Sequence, residues 1–411
     1  MAVTTTFKVQ FGYYANGTDL TLTDFTNRTQ GLSTETRAAI GQLGTRTALV
    51  TFDNNDGAMT PGNGGTYSAW DFFKRGLFVS ADVSNGVATS NAKLFSGVVT
   101  DFEVNDDGRN STVTVTAVDA FQIIGRSTPK TDYAALASSP TAGAIQAVLA
   151  DNVTAIPKIG QSVPSWTVSA KTTSANDTRH KWDTGEIIGA AGDVLNNNLL
   201  TAGMLTALPD ASDNGRWTLG VGVLNWGELK LTFAESGTTD LPFATIARGF
   251  NTPELTNNAN LTTVDTGYNV AKSNATSADK YGARARTYTV TADGATYADH
   301  GADSWANRFA DSTFDVRQLD TSTAHVESHL ADGSYLDWKN ALERPAWYLF
   351  DVTFTPTGGS STTETLVSAG CRISATPNNT QVTFTFLPAS SYGWFTLNND
   401  DLGILDQNRL G

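Results

Sequence analysis

Cysteine is almost missing from this sequence. Cys371 stands alone among 411 residues, so neither a disulfide within the chain nor a thiolate metal cage can form. Such usage is expected of a protein made in a reducing cytoplasm. Histidine is scarce too, with 4 in the chain, which leaves little imidazole for acid–base or metal chemistry. Basic charge is short: 27 Lys and Arg face 41 Asp and Glu, a net charge of -14, so a phosphate backbone is repelled and not gripped. A channel that lets DNA slide through benefits from this repulsion, and a plain solubility device has the same composition. Both explanations stay open. No window approaches ~18 uninterrupted apolar residues, and the N-terminal MAVTTTFKVQF has no basic segment followed by an apolar run. Neither a membrane span nor a secretory signal is expected.

Catalytic patterns are absent as well. There is no Gly-x-Ser-x-Gly elbow, no Cys-His pattern surrounds Cys371, and Asp and Glu are scattered near turns. Gly220-x-Gly222 lies in WTLGVGVLNWG without the strand-to-helix context of a dinucleotide loop. The sequence reads as that of a protein with no catalytic residues and no cofactor.

What is present is material for a core. Hydrophobic residues make up 40% and charged residues 17%, with 9 Trp, 11 Tyr and 20 Phe, a globular composition long enough for two or three domains. The dominant period is two, with Thr alternating against aliphatic or aromatic residues in Thr112–Val118, Trp217–Val223, Leu229–Phe233 and Gln381–Leu387, each bounded by turn residues. Helical spacing occurs at Ala142–Ala150, Glu186–Leu200 and Ala298–Ala310. In the last, Ala298, Ala302, Trp305, Ala306 and Phe309 form one apolar stripe. The fold class is therefore mainly β with a few short helices, multidomain. Polar punctuation at Ser127–Pro140 and Glu235–Pro242 predicts segments 1–128, 129–243 (α+β) and 244–411. No fixed-period repeat is visible.

Asp56-Gly57 and Asp107-Gly108 sit between apolar-alternating segments, where Gly supplies the positive φ of a tight turn. Loops around residues 54–65 and 105–111 are long enough to reach neighbouring proteins, or are ordinary turns. His325-x-Glu327-x-His329 shares one face on a strand, and its two imidazoles share one on a helix, which leaves a metal site open beside a solvated polar patch. Tyr281 with Arg284 and Arg286 suits an inter-subunit contact, or an intradomain turn with a salt-bridged Arg.

An ordered set of features carries a resemblance. Thr21–Arg28 is followed by Gly44–Gly57 (GTRTALVTFDNNDG), Thr60-Pro-Gly-Asn63 and Lys93-Leu-Phe-Ser-Gly97. Later come Asn260–Asp265, Ser277-x-x-x-Tyr281-Gly-x-Arg284, Phe314-x-x-Arg317, and Trp394-Phe-Thr-Leu397 with Leu402-Gly-Ile-Leu-Asp406 and Arg409-Leu. In this order they resemble the minor tail proteins of siphophages infecting actinobacteria. The Phe314–Arg317 step departs from the family pattern by lacking its proline, and residues 130–243 are least covered.

The resemblance implies a baseplate hub at the tail tip of a virion: a homotrimer that closes the distal end of the tail tube. Its partners would be the distal tail protein, the tape-measure protein and other tail-tip proteins, with DNA only in passage. It also implies two tail-tube-like β-barrel domains per subunit, here the first and third segments, so that three copies offer six similar surfaces. Two other roles remain: a hexameric distal tail ring, and a tail-tip receptor protein that stacks Trp rings on host glycans.

Overall fold

The structure is a computed structural model, and it describes residues 3–15, 20–39, 41–124, 141–152, 158–160, 165–171, 206–210, 216–222, 230–235, 238–250, 255–263, 268–290, 299, 302–303, 305–307, 310–311, 313–377 and 379–388. The helix expected at Glu186–Leu200 and the Trp394–Leu410 ending lie outside these residues.

Seven strands come first: β1 (Thr4–Tyr14), β2 (Leu20–Asp24), β3 (Thr29–Arg37), β4 (Thr45–Asp53), β5 (Gly76–Ser84), β6 (Thr89–Asp106) and β7 (Ser111–Val118). They pair in the order β3-β4-β7-β6-β5-β1-β2. Alternation of Thr with Val, Ala and Phe accounts for β4 and β7, whose alternate side chains are buried, because a pleated strand sends successive side chains to opposite faces. Short helices α1 (Ala120–Ile124) and α2 (Thr141–Asp151) follow, the second covering the predicted Ala142–Ala150.

Two small sheets flank the large one. β8 (Ser165–Ala170), β9 (Thr206–Asp210) and β10 (Arg216–Gly222) form the first. After β11 (Lys230–Ala234), β12 (Leu241–Pro242) and β13 (Thr245–Phe250) come β14 (Asn258–Thr263), β15 (Asn269–Ser273), helix α3 (Ala275–Tyr281) and β16 (Ala285–Val290). The order β15-β14-β16 makes the second small sheet. Buried Trp305 and Ala306, helical as their spacing predicted, pack with Trp347 and Val367 and dock it on the large sheet.

The last elements are β17 (Phe314–Ser322), α4 (Thr323–His329), α5 (Tyr335–Glu343), β18 (Ala346–Phe354), β19 (Thr362–Thr376) and β20 (Asn379–Pro388). With β11, β12 and β13 they pair in the order β13-β17-β20-β19-β18-β11-β12. Read strand for strand, this order repeats the first set: β3, β4, β7, β6, β5, β1 and β2 correspond to β13, β17, β20, β19, β18, β11 and β12. The one change is that β11 pairs parallel with both neighbours, whereas β1 pairs antiparallel. β11 and β12 fall inside segment 129–243 of the sequence division yet pair within this second set.

The two sets join edge to edge through β3 and β19, antiparallel from Gly370↔Arg37 to Ala375↔Leu32. The result among the described residues is one 14-stranded sheet. Its underside is continuous: Val115, Val50, Leu32, Ala375, Val382 and Phe384 belong to one buried cluster. The pairing therefore leaves the sheet open and closes neither half into a barrel of its own, because the long strands β6 and β19 run on past their neighbours β5 and β18. Among the described residues no helix is long and apolar enough to cross a membrane.

Candidate assembly interface

Opposite the shared core, the large sheet presents a polar face. One cross-strand row runs Asp101, Thr116, Leu49, Ser33, Ser374, Gln381 and Ser322 through β6, β7, β4, β3, β19, β20 and β17. The next runs Thr47, Glu35, Arg372, Thr383, Asp320 and Thr245. At ~4.8 Å per strand the first row spans about 30 Å without a break at the β3–β19 seam. The charges of this face are Glu35, Asp53, Asp101, Glu103, Asp315 and Asp320 against Arg37 and Arg372.

Strand edges decide what this face can join. Val98 pairs with both Gly76 of β5 and Val118 of β7, so those strands lie on opposite edges of β6. Beyond Val98 the β5 edge of β6 has no partner strand among the described residues. β19 shows the same arrangement filled in: β20 takes one edge, and β18 followed by β3 takes the other. β13 pairs only with β17 among the described residues, so its outer edge is also bare.

At the end of that edge Phe250 is 62% exposed and Phe314 47% exposed, with ring centroids 5.0 Å apart. Arg248 lies over the rings of Phe314 (4.8 Å) and Phe354 (4.7 Å) and pairs with Glu364 at 2.8 Å. Sequence reasoning missed both bare edges. The only signal was the alternation of Asp101, Glu103 and Asn105 with Phe102 and Val104, which marks an amphipathic strand and says nothing of a vacant neighbour.

The two predicted turns come together at one end of the first repeat. Gly57 and Gly108 have φ of 67° and 78°, a region only Gly enters freely. Asp56 pairs with Arg28 at 2.9 and 2.5 Å, and that guanidinium together with the Ala58 N–H holds its carboxyl down at about 2. Asp107 accepts from the N–H groups of Asn110 and Arg109, which also holds its carboxyl below the ordinary range. The 54–65 and 105–111 loops are tied by Asn54 N–H to Ser111 O (2.8 Å) and Ser111 N–H to Asn55 Oδ1 (2.8 Å).

Tyr281 ends α3, Arg284 lies just before β16 and Arg286 is in β16, so none of the three belongs to β6 or β13. Gly282 follows Tyr281 with φ 74°, Arg284 N–H donates to Asn257 Oδ1, and the Arg284 and Arg286 side chains are exposed. His325 and His329 lie on α4 with ring centroids 4.3 Å apart. Glu327 points elsewhere and accepts from Thr5 N–H at 2.8 Å. Among the described residues no three His, Cys, Asp or Glu side chains gather as metal ligands. Cys371 is buried in the seam, and burial pushes its thiol well up.

No protein-family model matches the chain, and none of the curated proteins matches it by sequence. Solved structures do match. The tail protein from Neisseria meningitidis MC58 is similar with a TM-score of 0.55 at 9% identity, over 95% of this chain and 98% of that one. The 43 kDa tail protein of prophage MuSo2 from Shewanella oneidensis gives 0.51 at 10% identity, over 94% and 99%. A chain of the Francisella PdpA-VgrG complex gives 0.50 at 9% identity, over 94% of this chain and 53% of that one. The likeness is one of fold, and it runs nearly end to end: this chain has the fold of the two tail proteins.

Proposed function

We propose that this chain is a structural protein of a phage tail tip, a homotrimeric hub that closes the end of the tail tube, and that it catalyses no reaction. The observation that carries the proposal is the internal duplication: two like-paired sets of strands, fused through β3 and β19. Three such chains supply six similar strand sets, the number needed to match a six-fold tube. A chain with one set would serve in six copies, so the duplication favours the hub over a hexameric distal ring.

In the proposed ring the polar face lines the axial passage. Hydroxyl side chains offer no fixed positive charge to a passing phosphate backbone, and the carboxylates on the face outnumber its guanidiniums. The partners are the distal tail protein above, the tape-measure protein within and peripheral tip proteins outside, in a virion of the siphophage type. The resemblance to minor tail proteins of actinobacterial siphophages supports this placement, as does the fold shared with the two tail proteins.

Symmetry-resolved imaging of the assembled tip tests the proposal. Three copies on the tail axis are expected. Six copies would indicate the distal ring instead, and a peripheral position would indicate a receptor protein.

A further inference from the structure

The internal duplication also predicts how copies join. We propose that the bare edge of β6 in one copy pairs antiparallel with the bare edge of β13 in the next, in the register the chain itself uses where β19 meets β3. The partner is a second copy of this chain, and the inference rests on the hub proposal.

The alignment follows from a shared irregularity. β6 carries one extra residue, Thr100, between Val99 and Asp101 where these face Ala117 and Thr116 of β7. β19 carries Ala369 between Ser368 and Gly370 where these face Phe386 and Thr385 of β20. Bulges re-aim a strand and pin its register, so the two mark equivalent positions: Phe102 corresponds to Cys371, Glu103 to Arg372 and Val104 to Ile373. Stepping across β7 and β4 in one set, and β20 and β17 in the other, aligns Ser33 with Ala247. Thr34, Glu35 and Thr36 then correspond to Arg248, Gly249 and Phe250. Within the chain Cys371 faces Thr36, Arg372 faces Glu35 and Ile373 faces Thr34. Between copies, therefore, Phe102 faces Phe250, Glu103 faces Gly249 and Val104 faces Arg248.

Three independent observations fit this register. Both edges are bare among the described residues, and a bare edge is a standing template for another strand. Phe250 is the most exposed aromatic ring of the described residues at 62%, and the register covers it with Phe102, itself stacked on Phe72 at 4.4 Å. The charges differ in sign: from Asp101 to Asp106 the β6 edge carries Asp101, Glu103 and Asp106 with no cation, while β13 carries Arg248, which Glu364 already pairs, and no carboxylate.

Cross-linking tests it on the full chain. Glu103→Cys with Gly249→Cys places two thiols across the proposed pair. The native Cys371 is buried and does not compete. A Cβ at 249 meets only Arg317 Cγ, at 3.8 Å, so the variant should fold. Oxidation should give covalent species that end at three chains, a mixture of the two single variants should stop at two, and Glu103→Cys with Ala247→Cys should react several-fold less. At dilutions where the chain is monomeric, Phe250→Glu should leave thermal unfolding nearly unchanged, and at higher concentration it should weaken self-association about tenfold or more. A threefold mass by light scattering with no disulfide between the thiols introduced at positions 103 and 249, or with equal reaction of the shifted pair, overturns this register and leaves the hub standing. Covalent ladders running past three keep the register and overturn the threefold. A wild-type chain that stays monomeric at every concentration, with no cross-link, overturns both.

Discussion

The two repeats share a strand order but fill it differently. In the first, the connection between β4 and β5 stays at home: Tyr67 and Trp70 pack on Phe25, and Phe72 packs on Phe11 and Phe102. In the second, the equivalent connection between β17 and β18 holds α4 and α5 and reaches across to its neighbour. Trp338 Nε1–H donates to Thr5 Oγ1 at 3.1 Å, Glu327 accepts from Thr5 N–H, and Glu343 accepts from Lys93 N–H, although Thr5 and Lys93 belong to the first repeat. One insert closes on its own sheet and the other clamps the next. The seam within the chain is thus a strand ladder plus a buried helical clamp, whereas the seam proposed between copies is a ladder capped by aromatic rings.

The largest expected effect tests the clamp. Trp338 is fully buried, and Trp338→Ala should cost about 3–5 kcal/mol, as truncations of large buried aromatics do. Because Trp338 bridges the repeats, chemical unfolding followed by two probes should change from one transition to two. Phe72→Ala, also buried but confined to its repeat, should cost a similar amount while keeping one transition. Equal behaviour of the two variants would erase the distinction between the inserts.

A pH effect of similar size is expected at the base of the same seam. Asp119 is 1% exposed and accepts from the N–H groups of Arg46, Phe121 and Gln122 and from Gln122 Nε2, yet burial outweighs these and pushes its carboxyl up to about 6. A carboxyl raised on folding contributes stability that is full below about pH 4 and lost as pH rises through 6, and a rise of this size corresponds to roughly 3 kcal/mol. Denaturation midpoints measured from pH 4 to 7 should fall across that window. Asp119→Asn should flatten the fall, while losing stability overall because its amide N–H groups face the Arg46 and Gln122 donors. A wild-type profile flat over this range would show that the hydrogen bonds outweigh burial.

The smallest expected effect sharpens the seam itself. A Cβ on Gly370 would lie 2.2 Å from the Thr36 carbonyl oxygen, so Gly370→Ala must push β19 away from β3. The cost should be about 1–3 kcal/mol. Amide exchange should rise along Leu32–Arg37, while the β4–β7 pairing farther from the clash stays protected. Uniform exchange across the sheet would mean that the seam is no weaker than the repeats.

Much of the strand content was legible because half-buried strands write their period into the chain. Thr112–Val118 and Gln381–Leu387 lie within β7 and β20, and the Asp-Gly pairs mark turns through the φ they require. Helices α4 and α5 went unread. Seven and nine residues long, they are too short for a periodic signal to stand out. The duplication left no mark in the periodicity for a related reason, and only the family resemblance implied it. It resides in pairing order, and inserts of different length and kind between equivalent strands remove any constant spacing.

Composition and alternation by themselves determined that this chain is β-rich, acidic, without a disulfide and equipped with tight Asp-Gly turns. Those properties follow from local sterics, charge and the two-residue pleat. Which strand lies beside which was decided only by the tertiary structure. β19 leaves β18 for β3 at a bulge, and that one change of partner fuses two sheets into one and creates the seam. Strand pairing is a contact between residues far apart in the chain, selected by a shared core and by competition for edges, and nothing in a local pattern says which edges remain bare.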